Sequence, residues 1–600
     1  MATVRPSFTT LPTEILEAIF LHLDPHSFVF VSHTCKTIHK ITESAPVVWR
    51  HFCKTHFNSW APRHDIATKF RGPLSQVNWR GIFVSRVHNE KRALELLDTL
   101  LESQQERIKN ITEIADFGYD AKDVLLRECA CPDDADDVLA RRYYANAVLE
   151  RIQRDIVIQV WKDLAAGKHV PIERALGAFD LFARTGSDVD FDHISQDLDQ
   201  LAQDVLKLYP DFKQQSTRMK ASLLASFLRE RGFKGVSDVS YGALRNSFIG
   251  LALHTPPHES LPLISVAIYC ALASRLDLDA RPCGFVFHVY TIVYAPKNYT
   301  LDDVYKPTSA DEVDNMYLDP FRSSDEVPLF DLQEQLRSYG IPGSEYDRYL
   351  SHATTREMVI RTARNIINSV QTIRETERSR FGVQSNWLNA YPDMDSSFYA
   401  TIWAMLILGP SDEEHGALSN LSTRRRQYLP YLLEHFQVHY PWDITLLEQH
   451  VIPLFDTQPE GNRLRDFVRS MHRADSMAKA PKPRYQANDA VTMKIGQLFK
   501  HKRYSYEGVI TGWDTACEAG EDWIQHMGVD RLLNGREQSF YHVLVCDKSV
   551  RYVAGENISP APSSVQPSEA LLKIAGRHFK RWDDVNHVFV SNIRDEYPED

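Results

Sequence analysis

Cysteine is scarce. The 600-residue chain holds eight, at positions 35, 53, 129, 131, 270, 283, 517 and 546, without framework spacing. That excludes a disulfide-stapled fold and points to a reducing compartment. Cys129 and Cys131 form one CxC pair, and no second Cys or His pair follows at zinc-finger distance, so no metal is expected. Long apolar runs are also missing. The longest, Leu261 to Leu276, includes Ser265, Ser274 and Arg275 and is shorter than the ~20 residues that cross a bilayer. The opening MATVRPSFTT has no apolar signal core. No membrane association is expected, and the location expected is cytoplasmic or nuclear. Positive charge is in deficit, with 68 Lys and Arg against 80 Asp and Glu. A net charge of −12 disfavours non-specific contact with polyanions, so nucleic acid is not an expected partner. No repeat of fixed period and no low-complexity tract interrupts the chain.

What is present reads as globular protein: 43% hydrophobic and 25% charged residues, in a length too great for one core. The expected class is multidomain α+β. Residues 7–54 begin with TTLPTEILEAIFLHLDP, where Leu11, Ile15, Leu16, Ile19, Phe20 and Leu23 recur at helical spacing. Thr10 is a candidate N-cap, Pro12 falls in the first turn, and Asp24-Pro25 ends the helix. A second helix is expected through Phe28, Val31 and Cys35, and a third from Pro46. Three short helices make a poor independent core and leave apolar surface for a partner. The pattern LPxEIL…IFxHLD…SxxCK…VWR resembles an F-box. The resemblance implies docking to the Skp adaptor of a cullin–RING ubiquitin ligase. Leu11, Pro12, Ile15, Leu16, Ile19 and Trp49 match the family's contact or core positions.

Residues 87–168 repeat apolar side chains at three- and four-residue steps and read as a helical region. The next region, 169–345, contains HESLPLISVAIYCALASRLDLDARPCGFVFHVYTIVY: a helix, a short connection, then a strand. Alternation through Val286, His288, Tyr290 and Ile292 places His288 on one face of that strand. YLDPF brings Asp319 onto the next. The blocks GAFDLFA, GFKGVSDVSY…NSF, LPLISVAIYCALASRL, GFVFHVY and YLDPF together resemble a transglutaminase-like domain of the SirB type.

A catalytic member of that superfamily starts the helix with a cysteine, whose thiolate is stabilised by the helix dipole and the imidazole. Here that slot holds Pro262, Leu263 and Ile264, none of which attacks a carbonyl. Cys270 lies two turns on, ~10 Å along the axis at 1.5 Å per residue. Cys283 is on the far side of the connection, and Ser265 lacks an evident base. His288 and Asp319 are thus read as remnants of a degenerate triad, without catalysis and without a cofactor. The alternative is a thiol or serine hydrolase with residual activity.

Residues 346–475 return to helix in TTREMVIRTARNIINSVQTIRE and RRRQYLPYLLEHF, with LGPSDEEHG as a loop. SMAKAPKPRYQ, 476–486, reads as a linker across which few contacts are expected. Beyond it, in 487–595, the period becomes alternating, as in a small antiparallel β-barrel. IGQLFKHKRYSYEGVITGWD and FYHVLV…RYVAGENI resemble the YccV/HspQ family, often labelled hemimethylated-DNA-binding. From Arg484 onward, 14 Lys and Arg face 17 Asp and Glu, and Lys500, His501, Lys502 and Arg503 form the one dense basic spot. That footprint is small for DNA, so a protein client is the expected ligand. Tyr504, Tyr506, Trp513, Tyr541 and Tyr552 are candidates for its binding face, or for core. The whole reads as a substrate-receptor subunit of an SCF-type ligase. A ligase-independent adaptor or a chromatin factor is the further alternative.

Overall fold

The computed structural model describes residues 8–184, 190–306, 313–379, 391–409, 425–487, 491–562 and 564–600. The expected loop LGPSDEEHG lies outside them from residue 410 on. The chain forms two compact bodies, 1–152 with 466–600, and 153–465.

The first body opens with four helices rather than three: α1 (Thr13–Phe20), α2 (Pro25–Ser32), α3 (Lys36–Glu43) and α4 (Pro46–His56). The extra break has a local cause. Cys35, expected inside the second helix, instead caps α3, its sulfur accepting the Ile38 N–H at 3.5 Å. Asp24 caps α2 by accepting from His26 and Ser27. Thr10 sits in a short 3-10 turn, and Pro12 takes the N-cap position of α1. Four short helices still bury little by themselves. Their core is completed from outside: Leu16, Phe20, Phe28, Trp49 and Phe52 pack with Trp79 and Phe83 of the following helix, Trp79–Glu102. Phe28 stands edge-on to Phe20, Trp49 and Phe52 at centroid distances of 5.3, 5.2 and 5.3 Å, the arrangement that ring quadrupoles favour.

The second body surrounds the helix Pro262–Arg275, which is buried from Pro262 to Ala273. β1 (Lys234–Gly235) and β2 (Glu259–Ser260) form a parallel pair just before that helix. After it, β3 (Asp279–Pro282), β4 (Thr291–Tyr294), β5 (Asn315–Leu318) and β6 (Glu326–Val327) form an antiparallel sheet in sequence order. The strand expected to carry His288 starts only at Thr291. Phe287, at φ 61°, breaks the extended alternation. Arg361 then holds the carbonyls of Phe285 and His288 at 2.9 and 3.1 Å, so these oxygens are engaged outside the sheet ladder.

The C-terminal module belongs to the first body. β7 (Leu498–His501), β8 (Glu507–Asp514), β9 (Phe540–Val545), β10 (Val550–Ala554) and β11 (Ile558–Pro560) form one antiparallel sheet ordered β10-β9-β8-β7-β11. β12 (Phe579–Asp583) and β13 (Val588–Ser591) form a hairpin. The small antiparallel architecture matches expectation, but the sheet is not a closed barrel: β10 and β11 remain edges. β11 has three residues and ends on Pro560, which has no N–H to extend a ladder.

The segment 476–486 differs from the free hinge expected. The Lys482 N–H donates to Glu596 O at 2.7 Å, its ammonium reaches Asp514 at 2.5 Å, and Arg484 pairs with Asp600 at 2.7 Å. Nor does the module stand apart from the helices that follow the F-box region. A Cβ on Gly576 would lie 2.0 Å from Leu139 O, so only glycine permits this approach. Beside it, the Tyr144 hydroxyl donates to Arg577 O at 3.0 Å. Asp595 accepts from the Gln104 N–H at 2.9 Å. Asp475 accepts the Ile108 N–H at 3.0 Å and so caps the helix Arg107–Asp116. These hydrogen bonds tie the helices after the F-box region to the C-terminal segment.

Candidate functional site

His288 and Asp319 lie just before β4 and just after β5, whose register pairs Thr291 with Leu318. The sheet thereby brings together two side chains that are 31 positions apart, with His288 Nε2 3.0 Å from Asp319 Oδ2. A carboxylate only accepts, so in the neutral ring Nε2 carries the proton and Nδ1 is left as an acceptor. Asp319 is 3% exposed, and its Oδ1 meets no donor among the described residues. Arg322 stands 3.8 Å from Oδ2. The Phe321 ring is edge-on to His288 at 5.8 Å, and the Phe321 carbonyl accepts the Gly235 N–H at 2.9 Å. A Cβ on Gly235 would fall 2.4 Å from the Phe321 ring, so this glycine lets β1 approach.

His288 and Asp319 are therefore adjacent. Pro262, Leu263 and Ile264 form the buried first turn of their helix. Ser265, one residue on, hydrogen-bonds Ser260 at 2.8 Å, and both are buried. Burial pushes the Cys270 thiol well above its usual range, against a hydrogen bond to Thr291 that pulls the other way. Burial likewise pushes Cys283 up to about 12, and its sulfur faces Tyr349 O at 3.3 Å. Neither supplies thiolate at neutral pH. Among the described residues, no three His, Cys, Asp or Glu side chains converge to hold a metal ion, and no helix is long and apolar enough to cross a membrane.

The six N-terminal residues divide. Leu16 and Trp49 are core, 0% and 6% exposed, and the Trp49 indole donates to Thr42 O at 2.8 Å. Ile15 and Ile19 face outward at 49% and 38% exposure, with Pro12 exposed and Leu11 half-buried beside them. The five C-terminal aromatics divide too. Trp513 and Tyr541 are core, the Tyr541 hydroxyl accepting from the N–H groups of Thr492 and Met493. Tyr504 is exposed, while Tyr506 and Tyr552 are half-buried.

Sequence reading missed a second histidine–aspartate pair, His542 Nε2 to Asp514 Oδ2 at 3.2 Å. The Tyr552 hydroxyl donates to the same oxygen at 2.8 Å, and Lys482 reaches the other at 2.5 Å. Burial alone would raise the Asp514 carboxyl; the His542, Lys482 and Tyr552 donors outweigh it and hold Asp514 well below the usual carboxylate range. Four positions from four separate segments make this cluster, and no local spacing announces it.

Comparison with known proteins assigns three regions. Residues 8–55 match the F-box-like family, 192–364 the transglutaminase-like superfamily, and 491–586 the family described as hemimethylated DNA-binding protein YccV like. The chain is similar along its length to F-box only protein 21 of Homo sapiens: 22% identical, covering 98% of this chain and 92% of the relative. The Mus musculus protein of that name is 21% identical over 100% of this chain and 93% of its own. The Pongo abelii protein of that name is 41% identical over 110 residues, 18% of this chain and 17% of the relative. No solved structure matches. The chain thus carries F-box-like, transglutaminase-like and YccV-like domains.

Proposed function

We propose that this chain is the substrate-receptor subunit of an SCF-type ubiquitin ligase. Its N-terminal helices dock on the Skp adaptor and through it on a cullin–RING module. The transglutaminase-like and YccV-like domains hold a client protein, and the chain performs no catalysis of its own. The observation that carries the docking is the outer face of the F-box. Ile15 and Ile19 are exposed on α1, and Val29 and Phe30 stand 43% and 61% exposed on α2. A domain this small leaves its apolar side chains in water only where a partner covers them. Leu16 and Trp49 shape that face from beneath. The absence of catalysis rests on the first turn of Pro262–Arg275, which holds proline, leucine and isoleucine and no side chain able to attack a carbonyl.

A protein client is favoured over DNA by the small basic footprint around the β7–β8 turn, where Lys500 lies 3.9 Å from Glu507 and Lys502 donates to Glu556 O at 2.7 Å. The test is recovery of adaptor and cullin with Ile15→Asp/Ile19→Asp. Truncating central contacts commonly costs ~2 kcal/mol each, so recovery is expected to vanish. Circular dichroism should stay unchanged, because neither side chain is core. Undiminished recovery with this variant refutes the docking.

A further inference from the structure

The turn between β7 and β8 carries a serine whose side chain the fold does not use. The buried His501 organises this turn. Its Nδ1 accepts the N–H groups of Arg503 and Tyr504 at 3.1 and 3.2 Å, and its carbonyl accepts the Ser505 N–H at 2.8 Å. The imidazole packs against the Tyr504 and Tyr506 rings at centroid distances of 4.9 and 4.8 Å. Ser505 stands at φ 57°, a left-handed conformation that glycine adopts freely and serine only at a cost. It is exposed, and its hydroxyl makes no hydrogen bond to a described residue. Glycine would meet the backbone geometry better, so the turn itself gives no reason for a hydroxyl at this position.

The neighbours of that hydroxyl form a definite chemical pattern. Lys502 and Arg503 precede Ser505 by three and two positions, and the half-buried Tyr506 follows it. Both cations are exposed. The Lys502 ammonium donates to Glu556 O at 2.7 Å, and the Arg503 guanidinium lies over the Tyr504 ring at 5.3 Å. Neither forms an ion pair with a described residue, whereas Lys500 already faces Glu507 at 3.9 Å. No other pair of adjacent cations in the chain is followed, after one intervening residue, by a serine or threonine.

We infer that Ser505 is the phosphorylation site of a serine kinase whose substrate groove offers carboxylates to Lys502 and Arg503 and an apolar subsite to Tyr506. Ser505 Oγ attacks the γ-phosphorus of a magnesium-bound nucleoside triphosphate. The new O–P bond forms as the bond from that phosphorus to the β–γ bridging oxygen breaks. The nucleoside diphosphate leaves, and the hydroxyl proton passes to the kinase's base. A kinase reads an extended segment, so the turn opens first, at the expense of the hydrogen bonds that His501 accepts. The phosphoserine carries close to two negative charges at neutral pH. Against the three cations Lys500, Lys502 and Arg503, it lowers the charge of the module's one dense basic spot from +3 to about +1. It does so two positions before Glu507, whose carboxylate adds to the reversal. The basic footprint of the C-terminal module is thus switchable.

The test uses the folded full-length chain, ATP labelled at the γ-phosphate and two purified serine kinases. One selects cations three and two positions before the serine. The other requires a carboxylate three positions after it, where this turn has Gly508. Peptide mass mapping locates the phosphate. The first kinase is expected to load Ser505 to stoichiometry, and the second to leave it unmodified. Lys502→Ala/Arg503→Ala should slow loading at least about tenfold, the scale of losing a charge-assisted contact, with thermal stability unchanged because both side chains are exposed. Ser505→Gly should remove the label from this turn and keep or raise thermal stability, because glycine accepts φ 57° freely. No phosphate on Ser505, loading by both kinases alike, loading indifferent to Lys502→Ala/Arg503→Ala, or loading confined to heat-denatured chain overturns the inference. So does a drop in thermal stability in Ser505→Gly, which would give the hydroxyl a structural role.

Discussion

The two histidine–aspartate pairs invite a direct comparison. His288–Asp319 and His542–Asp514 have similar lengths, 3.0 and 3.2 Å, and in each the aspartate is buried. Their surroundings differ. Both oxygens of Asp514 face donors: His542 and Tyr552 on one, Lys482 on the other. Asp319 has one oxygen engaged and, among the described residues, no donor for the other. The Asp514 pair is a knot that fastens segment 476–486 to β8, β9 and β10. A buried carboxylate with both oxygens engaged is tied into the fold, whereas one with an oxygen left without a donor is tied less firmly.

The same substitution at both sites is the most direct way to break this comparison. Asparagine keeps one acceptor and turns the other oxygen into a donor. At position 514 the neutral amide loses the charge that Lys482, His542 and Tyr552 share, so Asp514→Asn is expected to cost about 2–3 kcal/mol, the range for breaking a buried charged hydrogen bond whose partners are partly exposed. Hydrogen exchange at the amides of Phe540–Val545 should accelerate accordingly. A loss below about 1 kcal/mol would show that the knot is ornamental.

Acid should act selectively on the same knot. The Asp514 carboxyl is held below its ordinary value in the folded chain, so the unfolded chain takes up the proton first. Its contribution is complete above the ordinary aspartate value of about 3.9 and declines as pH falls beneath it. The expected decline is up to about 1.4 kcal/mol per pH unit per proton. The urea midpoint of the C-terminal module should follow that slope in the native chain and flatten in Asp514→Asn. Parallel slopes in the two proteins would remove Asp514 as the titrating group.

The smallest effect is expected at the other pair. In Asp319→Asn the amide oxygen still accepts from His288, and the new N–H₂ occupies the side that no donor approaches. Stability should stay within about 1 kcal/mol of the native chain, since removing a buried charge offsets the weaker hydrogen bond. A larger loss would mean that the fold depends on Asp319 as much as on Asp514, and the contrast between the two pairs would fall.

Much of this was legible in local pattern, for reasons visible in particular residues. Helical spacing from Leu11 to Leu23 is a property of one turn and its neighbours, so α1 was readable; Cys35 was misplaced because capping by a sulfur has no strong propensity behind it. The His288–Asp319 contact was readable because a sheet in sequence order pairs neighbouring strands, so two positions near strand ends must meet. The exact start of β4 was not, because the left-handed Phe287 obeys neither strand nor turn preference. The aromatics of the C-terminal module could not be sorted in advance: Trp513 and Tyr504 look alike in a row of letters, and only packing buries the first and exposes the second.

By itself the sequence determined the order of domains, the four-residue-scale periodicities, the absence of a thiol at the helix start and the charge deficit. Each is carried by residues close in the chain or by composition, and each survives any arrangement of the parts. Only the tertiary structure decided that the segment after Ser476 is fastened to Asp514, Glu596 and Asp600 and that Gly576 lies against Leu139. It alone decided that Asp514 is saturated while Asp319 is not. These depend on hydrogen-bond partners hundreds of positions apart or drawn from separate strands. Their pairing is set by which buried polar groups are left unsatisfied once the cores have formed, and no local preference encodes that outcome.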